Sequence, residues 1–141
     1  MLVLLVGCAA HRHSNPIANA DGGRIQFQRH CAACHGEDGL GVEATPPLAG
    51  SAWVSGAQER FIKIVLHGVR GSLDVNGKTY DMEMPGFGRV LSDEDAASLL
   101  TFVRVHFGAP SEPIAADAVR AARAANQNRQ DYWSVSELLE K

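Results

Sequence analysis

Cys31-Ala32-Ala33-Cys34-His35 places two thiols three positions apart and an imidazole directly after the second. That spacing is associated with covalent attachment of c-type haem: each thiol adds to one vinyl group of the porphyrin, and the histidine beside them is set on the iron. The same five residues admit a thioredoxin-like redox pair, half of a zinc site or a structural disulfide. A thioredoxin requires a strand before the motif and a sheet after it, and neither pattern is found. Tetrahedral zinc requires further ligands, which His67 or His106 supply only loosely. Haem attachment is the preferred reading, because the motif follows a helical segment, precedes a loop of Gly and Pro, and stands behind an apparent export signal.

Upstream, the spacing predicts a short helix from Gly23 or Arg24 to about His30, carrying Ile25, Phe27 and then Cys31 inward. Asn15 to Gly23 is small and polar and reads as linker. Met1 to Val6 is apolar but far short of the ~20 residues a membrane span needs. It is also short for a complete export signal, which leaves room for a start upstream of Met1. Leu5-Val6-Gly7-Cys8 resembles the bacterial lipoprotein box, in which the cysteine is lipidated and becomes the first mature residue. On that reading Cys8 carries a lipid anchor and the protein is exported to the periplasmic side of the membrane. The competing reading is an ordinary cleaved signal that removes the cysteine.

Downstream, Gly36 to Gly50 holds four glycines and two prolines with little periodicity, a loop beside the cysteine pair. Ser55 and Gln58 have capping-box spacing before a helix with Phe61, Ile62, Val65 and Leu66 on one stripe, ended by Gly68. Asn76-Gly77 suits a tight hairpin, with arms (Leu73 to Val75 and Lys78 to Tyr80) too short to carry a fold. Met82 to Phe87 follows neither helix nor strand periodicity. Ser92 with Asp95 caps a helix with the stripe Ala96, Leu99, Leu100, Val103 and Phe107, ending by Gly108. After Ala109-Pro110 the composition shifts to Ala, Arg, Asn and Gln. Asp117 to about Arg129 forms a modest helix, and Tyr132, Trp133, Leu138 and Leu139 pin the tail to the domain.

The sum is an all-α chain of three to four short helices and long loops. Its expected divisions are a signal and linker over 1–21, one domain over 22–108 and a carboxy-terminal extension over 109–141. The chain has 141 residues, 45% hydrophobic and 21% charged, enough for one core and too short for a large multidomain enzyme. Aromatic residues are only 6%, so something besides side chains is expected to fill the middle. Thirteen Lys plus Arg against sixteen Asp plus Glu give a net charge of -3, which argues against nucleic acid as a partner.

From about Gly22 to Gly108 the sequence resembles the class I cytochrome c family, in the variant associated with bacterial periplasmic dehydrogenases. The resemblance implies one covalent haem c wrapped by helices and loops, with thioethers to Cys31 and Cys34 and His35 as the proximal iron ligand. It implies a distal methionine before the last helix, usually followed by Pro. Met84-Pro85-Gly86-Phe87 matches that pattern and Met82-Glu83 does not. It also implies a proline carbonyl accepting from the far nitrogen of His35, from Pro46 or Pro47 with Pro47 preferred. Gly23 and Phe27 are expected to meet Phe102 at a helix crossing, and Leu48, Trp53 and Tyr80 to form the pocket wall or reach a propionate.

The function that follows is one-electron transfer rather than enzymic catalysis, because a His/Met-ligated iron has no vacant position and no other catalytic centre is evident. The expected donor is a periplasmic dehydrogenase, and the acceptor a terminal oxidase or another cytochrome. Glu37, Asp38 and Glu43 are either a solvated surface or a steering patch for a basic partner. Two alternatives stand: an open-coordination haem protein acting as peroxidase or ligand sensor, and a structural haem subunit of a dehydrogenase complex.

Overall fold

The computed structural model describes residues 16–140; Cys8 and most of the expected signal lie outside them. Helix α1 (Pro16–His30) runs into the cysteine motif, and after Cys31 the chain makes one further turn, α2 (Ala32–His35). Gly36, at φ 77°, ends that turn, a left-handed conformation that glycine adopts without a side-chain clash. After the loop, Ser51 caps α3 (Ala52–Ser55) by accepting from the Trp53 N–H. The expected Ser55 cap is not formed: α4 (Gln58–His67) starts from Ala57, and Ser55 Oγ accepts from the Ala109 N–H instead. The α4 stripe buries Phe61, Ile62, Ile64, Val65 and Leu66.

From here the chain departs from the all-α expectation. Strands β1 (Gly68–Val75) and β2 (Lys78–Pro85) form an antiparallel hairpin with full eight-residue arms. Asn76 and Gly77 close it, both at positive φ (51° and 81°), as a two-residue hairpin turn requires. Val69-Arg70-Gly71-Ser72-Leu73-Asp74-Val75 and Tyr80-Asp81-Met82-Glu83-Met84 do alternate in the strand period. The pairs Val69↔Met84, Gly71↔Met82 and Leu73↔Tyr80 share one sheet face, and Arg70↔Glu83 and Ser72↔Asp81 share the other. A third strand, β3 (Trp133–Ser134), lies parallel to β1, so the sheet is mixed with order β2-β1-β3.

Helix α5 (Asp93–Phe107) begins at Ser92, whose hydroxyl accepts from the Asp95 N–H, and stops at Gly108. It crosses α1 at the expected place. A Cβ on Gly23 would clash with the Ser98 carbonyl and lie 2.7 Å from Phe102 Cβ, so only glycine lets the two backbones approach this closely. The Phe27 ring lies 5.5 Å from Phe102 and 5.2 Å from Phe107. Full burial of an aromatic or aliphatic side chain contributes about 1.5–3 kcal/mol. Arg104, also buried, donates from Nε to the Val54 carbonyl (2.9 Å) and from Nη2 to that of Gly56, tying α5 to α3 through backbone acceptors.

The tail forms α6 (Ala116–Ala125), β3 and α7 (Val135–Leu139), the last held by a reciprocal Ser134/Glu137 capping box. Val119 and Ala122 enter the main core, whereas Trp133 and Leu138 join Ile64 and Val69 in a second cluster. Leu139, expected inward, is exposed.

Candidate haem site

Cys31 closes the last turn of α1, with its N–H donating to the Phe27 carbonyl at 2.8 Å, and Cys34 and His35 follow within one helical turn. Cys31 packs half-buried against the main core and Cys34 is exposed. Burial, helped by the neighbouring Cys34, pushes the Cys31 thiol up to about 12. A redox-active pair needs the opposite shift, toward the thiolate. A sheet does follow the motif here, contrary to the first expectation, but a helix rather than a strand precedes it.

His35 is buried, and its Nδ1 donates to the Pro46 carbonyl at 3.0 Å. The accepting carbonyl is therefore that of Pro46, correcting the preference for Pro47. The loop decides between them: Gly41, at φ 80°, packs against Thr45 and Pro46 and shapes the turn that presents this carbonyl. Burial lowers the His35 pKa, and the hydrogen bond to Pro46 opposes that shift only in part. The ring is thus neutral at pH 7 with its proton on Nδ1, leaving the Nε2 lone pair for a metal.

Cys34, His35, Pro46 and Pro47 line an open cleft with about 890 Å³ of empty space, its solvent-filled mouth included. Its second wall is the apolar face of the hairpin: Val69, Gly71, Leu73 and Val75 of β1, with Tyr80, Met82 and Met84 of β2. Phe61 and Ile64 of α4 and Val54 of α3 complete it. An apolar cleft with the Cys34 thiol at its rim, Cys31 one helical turn away, a neutral buried imidazole and a thioether suits a covalently attached porphyrin with iron.

Leu48, Trp53 and Tyr80 all line this cleft. The Trp53 indole N–H is already engaged with the Asp74 carbonyl at 2.9 Å, and Arg60 lies 4.7 Å over its ring, so Trp53 serves as wall. Met82 and Met84, two apart on one strand, are both at the cleft. Met84 is half-buried against the Trp133 cluster, and Met82 is exposed. His67 and His106 are not cleft residues: His106 Nδ1 meets the Phe102 carbonyl at 3.2 Å, and His67 sits edge-on to Trp133. The contribution of β1 was missed at the level of sequence, although its alternation carries the signal.

The family model described as "Cytochrome C oxidase, cbb3-type, subunit III" matches residues 18–103. Cytochrome c-552 of Thermus thermophilus is 34% identical, over 99% of this chain and 95% of the relative. The cbb3-type cytochrome c oxidase subunit FixP of Sinorhizobium medicae is 35% identical over 64% of this chain and 31% of its own length. The fructose dehydrogenase cytochrome subunit of Gluconobacter japonicus is 28% identical over 82% and 24%. The chain belongs to the cytochrome c family, whose members transfer electrons, and its prosthetic group is a single covalently bound haem c.

Proposed function

We propose that this protein is an exported one-electron carrier in which His35 and Met84 are the axial ligands of the haem iron. It accepts electrons from a periplasmic dehydrogenase and passes them to a terminal oxidase or another cytochrome. The observation that carries the reading is the shared cleft: a neutral His35 fixed through Pro46, and Met84 held on the facing hairpin. The bound group supplies one-electron exchange at iron.

The chain's own residues do the rest. Cys31 and Cys34 form the thioethers. The Pro46 carbonyl fixes the ring orientation of His35 and raises its basicity as a ligand. A thioether opposite an imidazole raises the potential relative to two imidazoles. The apolar hairpin face and α4 keep water from the cofactor, which favours the ion of lower charge. The dehydrogenase and oxidase subunits among the relatives support the choice of partners. Anchoring through a lipid on Cys8 completes the proposal; among the described residues no helix is long and apolar enough to cross a membrane.

The test is the optical spectrum of protein matured in a haem c-competent periplasm, oxidised and reduced, with a carbon monoxide challenge. A low-spin spectrum with the weak far-red band of methionine ligation, lost in M84A and kept in M82A, is the expected result. A high-spin spectrum, or ready carbon monoxide binding by the native protein, replaces the carrier with an open-iron peroxidase or sensor.

A further inference from the structure

The tail has no role in the electron-transfer reading, yet it meets the Met84 strand and the loop after it at three separate places. In the sheet, Val69 pairs with Met84 on one side and with Trp133 on the other, so the three positions form one row across the strands. Residues aligned in this way share a face and pack on one another. Met84 accordingly packs against the cluster of Ile64, Val69, Trp133 and Leu138, two of whose members come from the tail. Beside them, a Cβ on Gly68 would meet both the Met84 carbonyl and the Tyr132 ring, the latter at 2.6 Å, so the tail closes on the Met84 backbone as well. Just beyond, Arg123 of α6 donates to the carbonyls of Gly88 and Leu91, in the loop between the end of β2 and α5.

Trp133 is itself held from several sides. Arg129 lies 3.5 Å and Lys63 5.0 Å from its ring centroid, and His67 stands at its edge. Its indole N–H is buried without an acceptor, a cost that phenylalanine in the same place would not carry. The ring, rather than its polar handle, is what this position uses.

We propose that Trp133 is a positioning residue for Met84: the carboxy-terminal extension forms the floor on which the thioether rests and so controls how readily another ligand displaces it from the iron. This rests on the reading of Met84 as the distal ligand. Removing the floor leaves Met84 more rotamers and a lower population of the ligating one. An added ligand that competes for the sixth position then binds more tightly, in proportion to the fraction of protein in which Met84 has let go.

The experiment titrates imidazole into ferric holoprotein of wild type, W133A, W133F and L99A, following the far-red band, with the reduction potential and thermal unfolding measured on each. Leu99 is buried in the main core away from the sheet and supplies a matched loss of global stability. W133A is expected to weaken the far-red band, bind imidazole at least tenfold more tightly and shift the potential downward. W133F should behave as wild type and L99A should lower only the unfolding temperature. Wild-type imidazole affinity in W133A, or an equal gain in L99A, overturns the proposal. If W133A yields no holoprotein, W133L carries the same expectations. M84A separates the two claims: a far-red band that survives it removes the ligand assignment itself, whereas loss of the band there with wild-type behaviour in W133A removes only the role of Trp133.

Discussion

Two arginines one turn apart on α6 should differ sharply in what they contribute. Arg123, with a side chain 34% exposed, donates to the carbonyls of Gly88 and Leu91 and from Nε to Asp93 at 2.9 Å. Arg120, 56% exposed, meets, among the described residues, only the carboxylates of Asp93, Glu94 and Asp117. Arg123→Met keeps the aliphatic stem and strands both carbonyls. A hydrogen bond from a charged donor contributes about 1.5–3 kcal/mol, and the lower bound applies to a partly exposed group, giving about 3 kcal/mol for the two. The ion pair adds at most ~0.5 kcal/mol, because Asp93 retains Arg120 and such pairs are screened by solvent. Water reaching the freed carbonyls returns part of this, so the expected loss is about 2–3 kcal/mol. At roughly 4 °C per kcal/mol for a domain of this size, Arg123→Met lowers the Tm by about 8–12 °C. Arg120→Met should lose no more than ~0.5 kcal/mol. Guanidinium unfolding of the two holoproteins, followed by circular dichroism and by the haem spectrum, measures both. Equal losses in the two variants, or a loss below ~1 kcal/mol in Arg123→Met, would refute the reasoning that backbone acceptors rather than charge make the contact matter.

Adjacent glycines of α1 provide a second contrast. Gly23→Ala forces α1 away from Ser98 and Phe102 and is expected to cost about 1–3 kcal/mol of overpacking. Gly22→Ala meets nothing within 4 Å among the described residues and should stabilise by up to ~1 kcal/mol through helix propensity, both read from unfolding midpoints. Glu137, hydrogen-bonded to Ser134 and then to Arg129, has its pKa lowered from 4.5 to about 2. Its contribution to holding α7 is therefore complete above pH 4.5 and is lost as the pH falls toward 2. Amide exchange in the tail should quicken over that window in wild type and show no such step in E137Q.

The local features of the fold were legible. The cap at Ser92, the end at Gly108 and the α4 stripe rest on interactions within a few residues, whereas the crossing of Gly23 and Phe27 with Phe102, a contact between distant segments, followed from the family resemblance. The sheet was not, although its alternation is present. Gly71 interrupts the apolar positions of β1 with a missing side chain, and the remaining ones face a cofactor cleft rather than a protein core. Only the three residues on either side of Asn76-Gly77 carry a hairpin signal, and Val69 and Met84 lie beyond them. Pro46 and Pro47 cannot be told apart by composition, since the choice depends on how Gly41 turns the loop. In the tail the helix and the anchoring by Trp133 and Leu138 were legible, but the strand at Trp133 was not, because Val69 with Trp133 is a parallel pairing between distant segments that leaves no local pattern.

That distant pairing also orders events in time. Strand β1 can zip with β2 as soon as the hairpin has been made, but its other edge stays unpaired until the last stretch of polypeptide arrives. Contacts so far apart in the chain close slowly, after local helices and turns. During that interval one side of the cleft wall is a bare strand edge, open both to incoming cofactor and to pairing with a neighbouring chain. A chain cut before Trp133 would keep that edge exposed, and its characteristic failure would be self-association along β1.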